Sequence, residues 1–218
     1  MEQTELKRRG RPPSMSQEER RRRIVAAAEE TFTSRGYSAA SMDDVVRACG
    51  MSKKTVYEMF DTKEQLFNEV VALSLESAPS LDWKDGQTLE GELLLRNVLR
   101  SMAAFILSPR QVALTRLVLA ESPASPELGS IFYEAAVVRG QSMLAEAIRR
   151  IGSPVSTDVR HSEHLADLLI GTLLGPQFFS SLLGRTPAPT QDEIHARIDW
   201  LFDVLGPTLM LGKNPTAN

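Results

Sequence analysis

Apolar positions along this chain recur every three or four residues, and no run of alternating β-branched residues is long enough for a sheet, so the pattern predicts helices throughout. Ser16-Gln17-Glu18-Glu19 is a capping box; Ile24, Ala27, Ala28, Thr31 and Phe32 then share one face, and Gly36 closes the first helix. Ser41 caps a short second helix with Asp43 and Asp44 in its first turn, Val45 and Val46 turned inward and Gly50 as its stop. A third helix starts from Ser52 and runs to about Phe60. Asp61 and a further capping box, Thr62-Lys63-Glu64-Gln65, open a fourth, carrying Leu66, Phe67, Val70 and Val71.

Farther on, Leu93 to Ile106 reads as a helix burying Leu95, Val98, Leu99, Met102, Phe105 and Ile106, and Leu114, Leu117 and Val118 mark another. Ser125-Pro126 opens a long helix through Phe132, Ala135, Leu144 and Ile148 to Gly152. The last two begin near Asp158 and at the capping box Thr190-Gln191-Asp192-Glu193, with Gly175-Pro176 and Gly206-Pro207 expected to break or kink them. The expected fold is all-α, with about nine helices.

Composition adds compartment and charge. With 42% hydrophobic and 24% charged residues among 218, this is a globular composition that excludes collagen, a disulfide scaffold and wholesale disorder. A lone Cys49 permits no intramolecular disulfide, and the charged N-terminus lacks an apolar leader, so a reducing cytoplasm is expected. Leu168 to Gly184 is uncharged but interrupted by Gly175-Pro176 and Gln177, and is read as a buried helix rather than a membrane span. Net charge is -3, yet residues 1–23 carry eight Lys/Arg against four Glu, leaving -7 for the rest. Such asymmetry points to nucleic acid or an anionic surface meeting the N-terminal part, or simply to a solvated arm.

The pair of short helices meeting at Cys49-Gly50-Met51 has helix-turn-helix proportions. If Val56 and Phe60 face inward, Lys54 and Glu58 point outward, with Thr55 and Tyr57 on the flanks. Lys reaches guanine acceptors or phosphate, Thr a base edge or a thymine methyl, Tyr a phosphate, and Glu58 can accept from a cytosine amine. Lys63, opening the next helix, supplies a further phosphate clamp. From spacing alone, a plain αα-hairpin is equally admissible. Arg9-Gly10-Arg11-Pro12 resembles the core of an AT-hook, whose arginines enter a narrow minor groove; a basic leader that only raises non-specific affinity is the alternative.

Arg23-Ile24-Val25-Ala26-Ala27-Ala28, Phe32, Gly36-Tyr37, Ser41-Met42, Met51-Ser52-Lys53-Lys54-Thr55-Val56-Tyr57 and Phe60-Asp61-Thr62-Lys63-Glu64-Gln65-Leu66-Phe67 together resemble the N-terminal domain of the TetR family of bacterial transcriptional regulators. Leu117-Val118-Leu119-Ala120-Glu121 and the stretch from Pro126-Glu127-Leu128 to Phe132-Tyr133-Glu134 resemble, more loosely, the C-terminal domain of AefR-like members. The resemblance implies a basic arm over 1–15, a DNA-binding domain over 16–62, an effector-binding and dimerisation domain over 63–212, and a tail. It implies a cytoplasmic homodimer on a double-stranded DNA operator, a repressor released by a small-molecule effector, with no membrane partner and no cofactor. With the arm and the outward helix face, the DNA-facing set is Arg9, Arg11, Ser41, Met42, Lys53, Lys54, Thr55, Tyr57, Glu58 and Lys63. Glu58 puts a negative charge where relatives commonly have a neutral or basic residue, and Met59 stands where they often have His or Tyr, which keeps open an adaptor or ligand-binding protein that retains the fold without operator binding.

Two apolar stripes, Leu165, Leu168, Leu169 and Leu173 on one helix and Ile194, Ile198, Leu201, Phe202 and Leu205 on the other, are expected to form the dimer interface. Trp83 and Trp200 read as core or interface fillers and Cys49 as a small packed residue. His161, His164 and Asp167 spread over too wide an arc of helix for a metal site. No phosphate loop, nucleophile elbow or two-His zinc motif argues for an enzyme; the residue set nearest to one is Glu121 or Glu134 near Arg116. Arg116, Glu121 and Tyr133 are the polar groups expected among the middle helices that enclose an effector.

Overall fold

A computed structural model describes residues 15–79, 91–151 and 159–209, with side chains to residue 205. Arg9, Arg11, Trp83, Gly152, Asp158 and the tail lie outside the described residues. Among those described there is no strand, and the helices are α1 (Gln17–Arg35), α2 (Met42–Cys49), α3 (Lys53–Tyr57), α4 (Lys63–Ser74), α5 (Gly91–Ile106), α6 (Pro109–Glu121), α7 (Pro126–Phe132), α8 (Arg139–Arg150), α9 (Val159–Leu182) and α10 (Gln191–Leu209). A π-helical turn over Tyr133–Val138 joins α7 to α8, so the long helix expected after Ser125-Pro126 is present but underwound in its middle. Neither glycine-proline pair ends its helix: α9 runs through Pro176, and α10 extends past Pro207.

Local chemistry sets the boundaries. The hydroxyls of Ser16, Ser41, Ser52, Thr62 and Ser108 each accept an N–H of the first turn they precede, satisfying a donor that has no partner within the helix. At Ser16 and Ser41 the reciprocal bond closes, from the cap N–H to Glu19 and Asp44. At Thr62 the return bond goes one residue back, from the Asp61 N–H to Gln65 Oε1 at 3.0 Å.

Two apolar cores result. The first unites α1 to α4 with Leu114, Leu117 and Val118 of α6 and Leu128 of α7. Its centre is a ring cluster of Phe32, Tyr37 and Phe67, with centroids 5.3 to 6.3 Å apart in edge-to-face and tilted arrangements. Because Leu66, Phe67, Val70 and Val71 of α4 are fully buried in it, the division expected after residue 62 falls inside this core. The second core gathers α5, α8, α9 and α10 around Leu95, Leu99, Leu144, Ile148, Leu169 and Ile198. Arg96 and Arg100 of α5 both donate to Asp199 of α10, at 2.8 and 2.7 Å, and Arg96 also lies 4.3 Å over the Phe202 ring.

Of the stretch read as a buried helix, only one face is buried. α9 is long and apolar enough to cross a membrane by length and composition, and it sets Ala166, Leu169, Leu173 and Leu174 into the second core while Leu168 and Phe179 stand exposed.

Candidate functional site

The α2–α3 unit hangs from the first core by Val45, Cys49, Val56 and Phe60, all buried. Gly50 takes φ +66°, the left-handed conformation that lets α2 end and the chain turn into α3. With Val56 and Phe60 inside, Lys54 and Glu58 project outward, and Thr55 and Tyr57 are half-buried at the sides. Cations on this unit face anions of the same unit. Lys53 Nζ reaches Asp43 at 2.8 Å and lies 5.5 Å from the centroid of the Tyr57 ring, and Lys54 Nζ stands 3.7 Å from Glu58 one turn on. Ser41 is occupied as a cap, its hydroxyl donating to Asp44 Oδ2 at 2.5 Å; that bond and the Ser41 N–H bring the Asp44 carboxyl down to about 2. Thr55 shares a hydrogen bond with Ser52 at 2.8 Å, and Met42 packs half-buried on the first core.

Lys63 was expected to clamp a phosphate, but its ammonium is turned into the protein. Nζ donates to the carbonyls of Tyr37 and Ala40 at 2.8 and 3.0 Å and lies 4.3 Å over the Tyr37 ring. It ties the turn between α1 and α2 to the start of α4, so the exposed cations at this end of the described residues include Lys53, Lys54, Arg47 and arginines of α1.

A cavity of about 590 Å³ opens where the two cores meet. Leu75 and α6 wall it on one side; α5, α7, the π-helical turn, α8 and α9 supply the rest, with Met102, Phe105, Phe132, Val137 and Phe178 among the apolar lining. Of the three polar residues expected to line such a space, Tyr133 does. Arg116 instead caps the end of α9, donating from Nε to the Leu182 carbonyl at 2.9 Å and from Nη2 to that of Ser181. Glu121 turns the other way and accepts from the Ser38 amide at 2.9 Å and from the Ser38 hydroxyl. Those bonds, the hydroxyl first, hold its carboxyl below the usual range. Arg116 and Glu121 therefore engage different elements and make no acid–base pair.

These contacts fasten α6 to the N-terminal helices at both ends. At its N-terminal end Arg110 makes a bidentate pair with Glu29 of α1, at 2.6 and 2.7 Å. At its C-terminal end Glu121 grips the α1–α2 turn, where Gly36 takes φ +85°, a conformation that favours glycine; a Cβ there would lie 2.6 Å from Glu121 Oε1 and push the carboxylate off its place. Read from sequence, Gly36 is only a helix stop.

Most of the residues expected at the dimer interface belong to the second core of a single chain. Leu169, Leu173, Ile194, Ile198, Leu201 and Phe202 are at most 3% exposed, and Leu165 and Leu205 pack half-buried against them. The two stripes cover one another and α5, so they need no second chain. Only Leu168 remains open, at 67%. The exposed apolar face lies beside the expected stripes, on Leu168, Phe179, Trp200 and Val204, with Leu183 just past α9. Arg197 donates across it to the Thr172 carbonyl at 2.9 Å. Among the described residues no group of three His, Cys, Asp or Glu could hold a metal ion; Asp167 instead accepts from Gln141 at 2.7 Å.

Two family models match the sequence: bacterial regulatory proteins of the TetR family over residues 24–70, and the C-terminal domain of AefR-like transcriptional repressors over residues 94–204. Solved structures share the fold. The flavonoid-responsive regulator FrrA, 24% identical, superposes with a TM-score of 0.65 over 91% of this chain and 98% of its own. A TetR family transcriptional regulator from Pseudomonas syringae pv. tomato str. DC3000, 23% identical, gives 0.62 over 88% and 97%. No curated protein sequence matches.

Proposed function

The chain belongs to the TetR family of bacterial regulatory proteins, a family of DNA-binding transcriptional regulators, and from that premise we propose that it is a cytoplasmic repressor, binding a pseudo-palindromic operator as a homodimer and leaving it when a small molecule fills the cavity. The observation carrying this reading is α6, which walls the cavity with Gln111, Thr115, Val118 and Leu119 while Arg110 and Glu121 fix its ends to α1 and to the α1–α2 turn. A ligand that displaces α6 moves the α2–α3 unit with it. Such a ligand must favour the released arrangement: weakening operator affinity about 100-fold takes a coupling of about 2.7 kcal/mol, and tight binding alone shifts nothing. FrrA, of the same fold, is described as flavonoid-responsive, which fits a small-molecule trigger.

In this reading the exposed face of α9 and α10 pairs two chains, and two α3 helices read half-sites about 34 to 36 Å apart or a multiple of that. Lys54, Thr55 and Glu58 read bases, while Lys53, Tyr57 and the arginines Arg9 and Arg11 of the arm hold the backbone and minor groove. The test is footprinting of the full chain on the DNA upstream of its own gene, with and without small-molecule extract. A symmetric two-half-site footprint that extract removes is expected. A chain that protects no DNA, or a footprint indifferent to every extract that raises the melting temperature, refutes it.

A further inference from the structure

We propose that the cavity takes an uncharged, largely apolar small molecule, lying against bare backbone of α9 where Gly171 sets how much of it fits. This deepens the reading of the cavity as the effector site and rests on it. The described lining contains no Asp, Glu, Lys, Arg or His, so an ionised ligand would bury its charge with no counter-charge in the wall. Apart from Tyr133, which is 53% exposed, the polar side chains in the wall are already engaged, Gln141 with Asp167 at 2.7 Å. Gln111 Nε2 donates to the Ser74 carbonyl at 3.2 Å, Thr115 to the Gln111 carbonyl at 2.8 Å, and Ser122 to the Val118 carbonyl at 2.6 Å. A ligand group that competed for them would break bonds already made, which favours a ligand with few polar atoms. At 590 Å³ the space has room for about 20 water-sized groups.

The second observation is where side chains are missing. Along α9 the cavity face is Ile170, Gly171, Leu174, Gly175, Phe178 and Leu182, and Gly171 lies near the middle of that arc. A Cβ built on Gly171 or Gly175 meets nothing within 4 Å, and one on Gly140 across the cavity meets only Met102 Cε, at 3.8 Å. Each glycine sits inside a helix, where alanine would be better tolerated by the backbone and would fit. Sterics within the chain do not explain these glycines; a ligand occupying the volume their side chains would take does.

The experiment titrates the full chain with Nile red, an uncharged fluorescent dye, then displaces it with dodecan-1-ol or with dodecanoate, which differ at one end. It repeats the titration on Gly171→Ala and Gly171→Leu. The dye should brighten on the wild type, and the alcohol should displace it at a concentration about tenfold or more below the carboxylate. Gly171→Ala should weaken the dye slightly and Gly171→Leu about tenfold or more, with melting temperatures equal to or above wild type because a helix-interior glycine has been removed. A carboxylate that competes as well as the alcohol, a wild type that binds neither, or a Gly171→Leu chain that binds dye like the wild type overturns the proposal; the last would place the dye on the exposed α9–α10 face. Operator affinity, measured on the same samples, separates the two readings. Dye binding with no change in operator affinity defeats ligand-driven release alone, and operator binding without dye binding defeats this inference alone.

Discussion

Around Phe32, Tyr37 and Phe67 the first core is filled by interlocking rings, and three of its four first helices are fixed at their starts by serine caps. The second core, around Leu99, Leu144 and Leu169, stops short of a 590 Å³ cavity whose wall includes four helical glycines and a π-helical turn. Both are helical and similarly apolar, so composition does not distinguish them; what differs is whether the side chains close the space between helices. A filled core has one low-energy arrangement and moves as a body, whereas a core with a void can close, open or accept a guest at modest cost. Since α6 contributes Leu114 and Leu117 to the filled core and Thr115 and Leu119 to the cavity wall, the boundary between the two behaviours runs along one helix.

Breaking the contrast most forcefully means emptying the filled core. Phe67→Ala removes a fully buried ring in contact with two others and should cost about 3 to 5 kcal/mol, whereas Phe105→Ala, a half-buried ring already facing the void, should cost well under half of that. Urea unfolding of both variants decides it; equal losses would mean that the cores do not differ in kind.

Next comes the exposed face of α9 and α10. Trp200→Asp removes an apolar group that is 62% exposed and central to that face, and should shift the chain from dimer to monomer in sedimentation at micromolar concentration, a loss of about 2 kcal/mol or more of association, with little effect on the monomer's melting. Leu169→Asp, next in the chain to the exposed Leu168 but buried in the second core, should instead unfold that core. A Trp200→Asp chain that stays dimeric sinks the assignment.

The tie between the regions can be tested without disturbing either core. Glu121→Gln keeps the shape but removes the charge from the hydrogen bonds to Ser38, a change of about 1 to 2 kcal/mol. In operator-binding titrations it should reduce the effect of a cavity ligand several-fold while leaving ligand affinity nearly unchanged. An undiminished ligand effect would show that α6 does not carry the signal through this end.

What the sequence discloses follows the same division. The caps at Ser16, Ser41, Ser52 and Thr62, and the inward Val56 and Phe60, were legible because each depends on residues within one turn of helix. Ser108-Pro109 carries the same capping signal and opens α6, although the apolar residues that follow are less regular. Periodicity located the faces of α9 and α10 but merged a core stripe with the exposed one beside it, since Leu168 and Leu169 are equally apolar and differ only in what another helix covers. The intramolecular partners of Lys63 and Glu121 are hidden for a related reason: Tyr37 and Ala40 for one and Ser38 for the other lie more than 20 residues away. A void has no residue of its own, and only the glycines at 140, 171 and 175 hint at it.

The smallest expected effect sharpens the comparison at alkaline pH. Burial, and then the carboxylates of Glu127 and Glu64, push the Tyr37 phenol up to about 12, against about 10 for a tyrosine in an unfolded chain. The fold therefore favours the protonated phenol. Its stabilising contribution is fully present below pH 10 and is lost as pH rises from about 10 to about 12, because only the unfolded chain ionises readily in that window. Melting followed by circular dichroism should show the wild type losing stability over this range more steeply than Tyr37→Phe, which keeps the ring contacts to Phe32 and Phe67 but has no proton to lose. The wild type minus Tyr37→Phe difference in tyrosinate absorbance should rise late, near pH 12, in step with unfolding of the first core. Trp200 fluorescence, which reports from the exposed face of the other half, should not lead it. If the difference signal appears near pH 10, Tyr37 is reached by water in the native state, and the filled core is looser than its ring contacts imply.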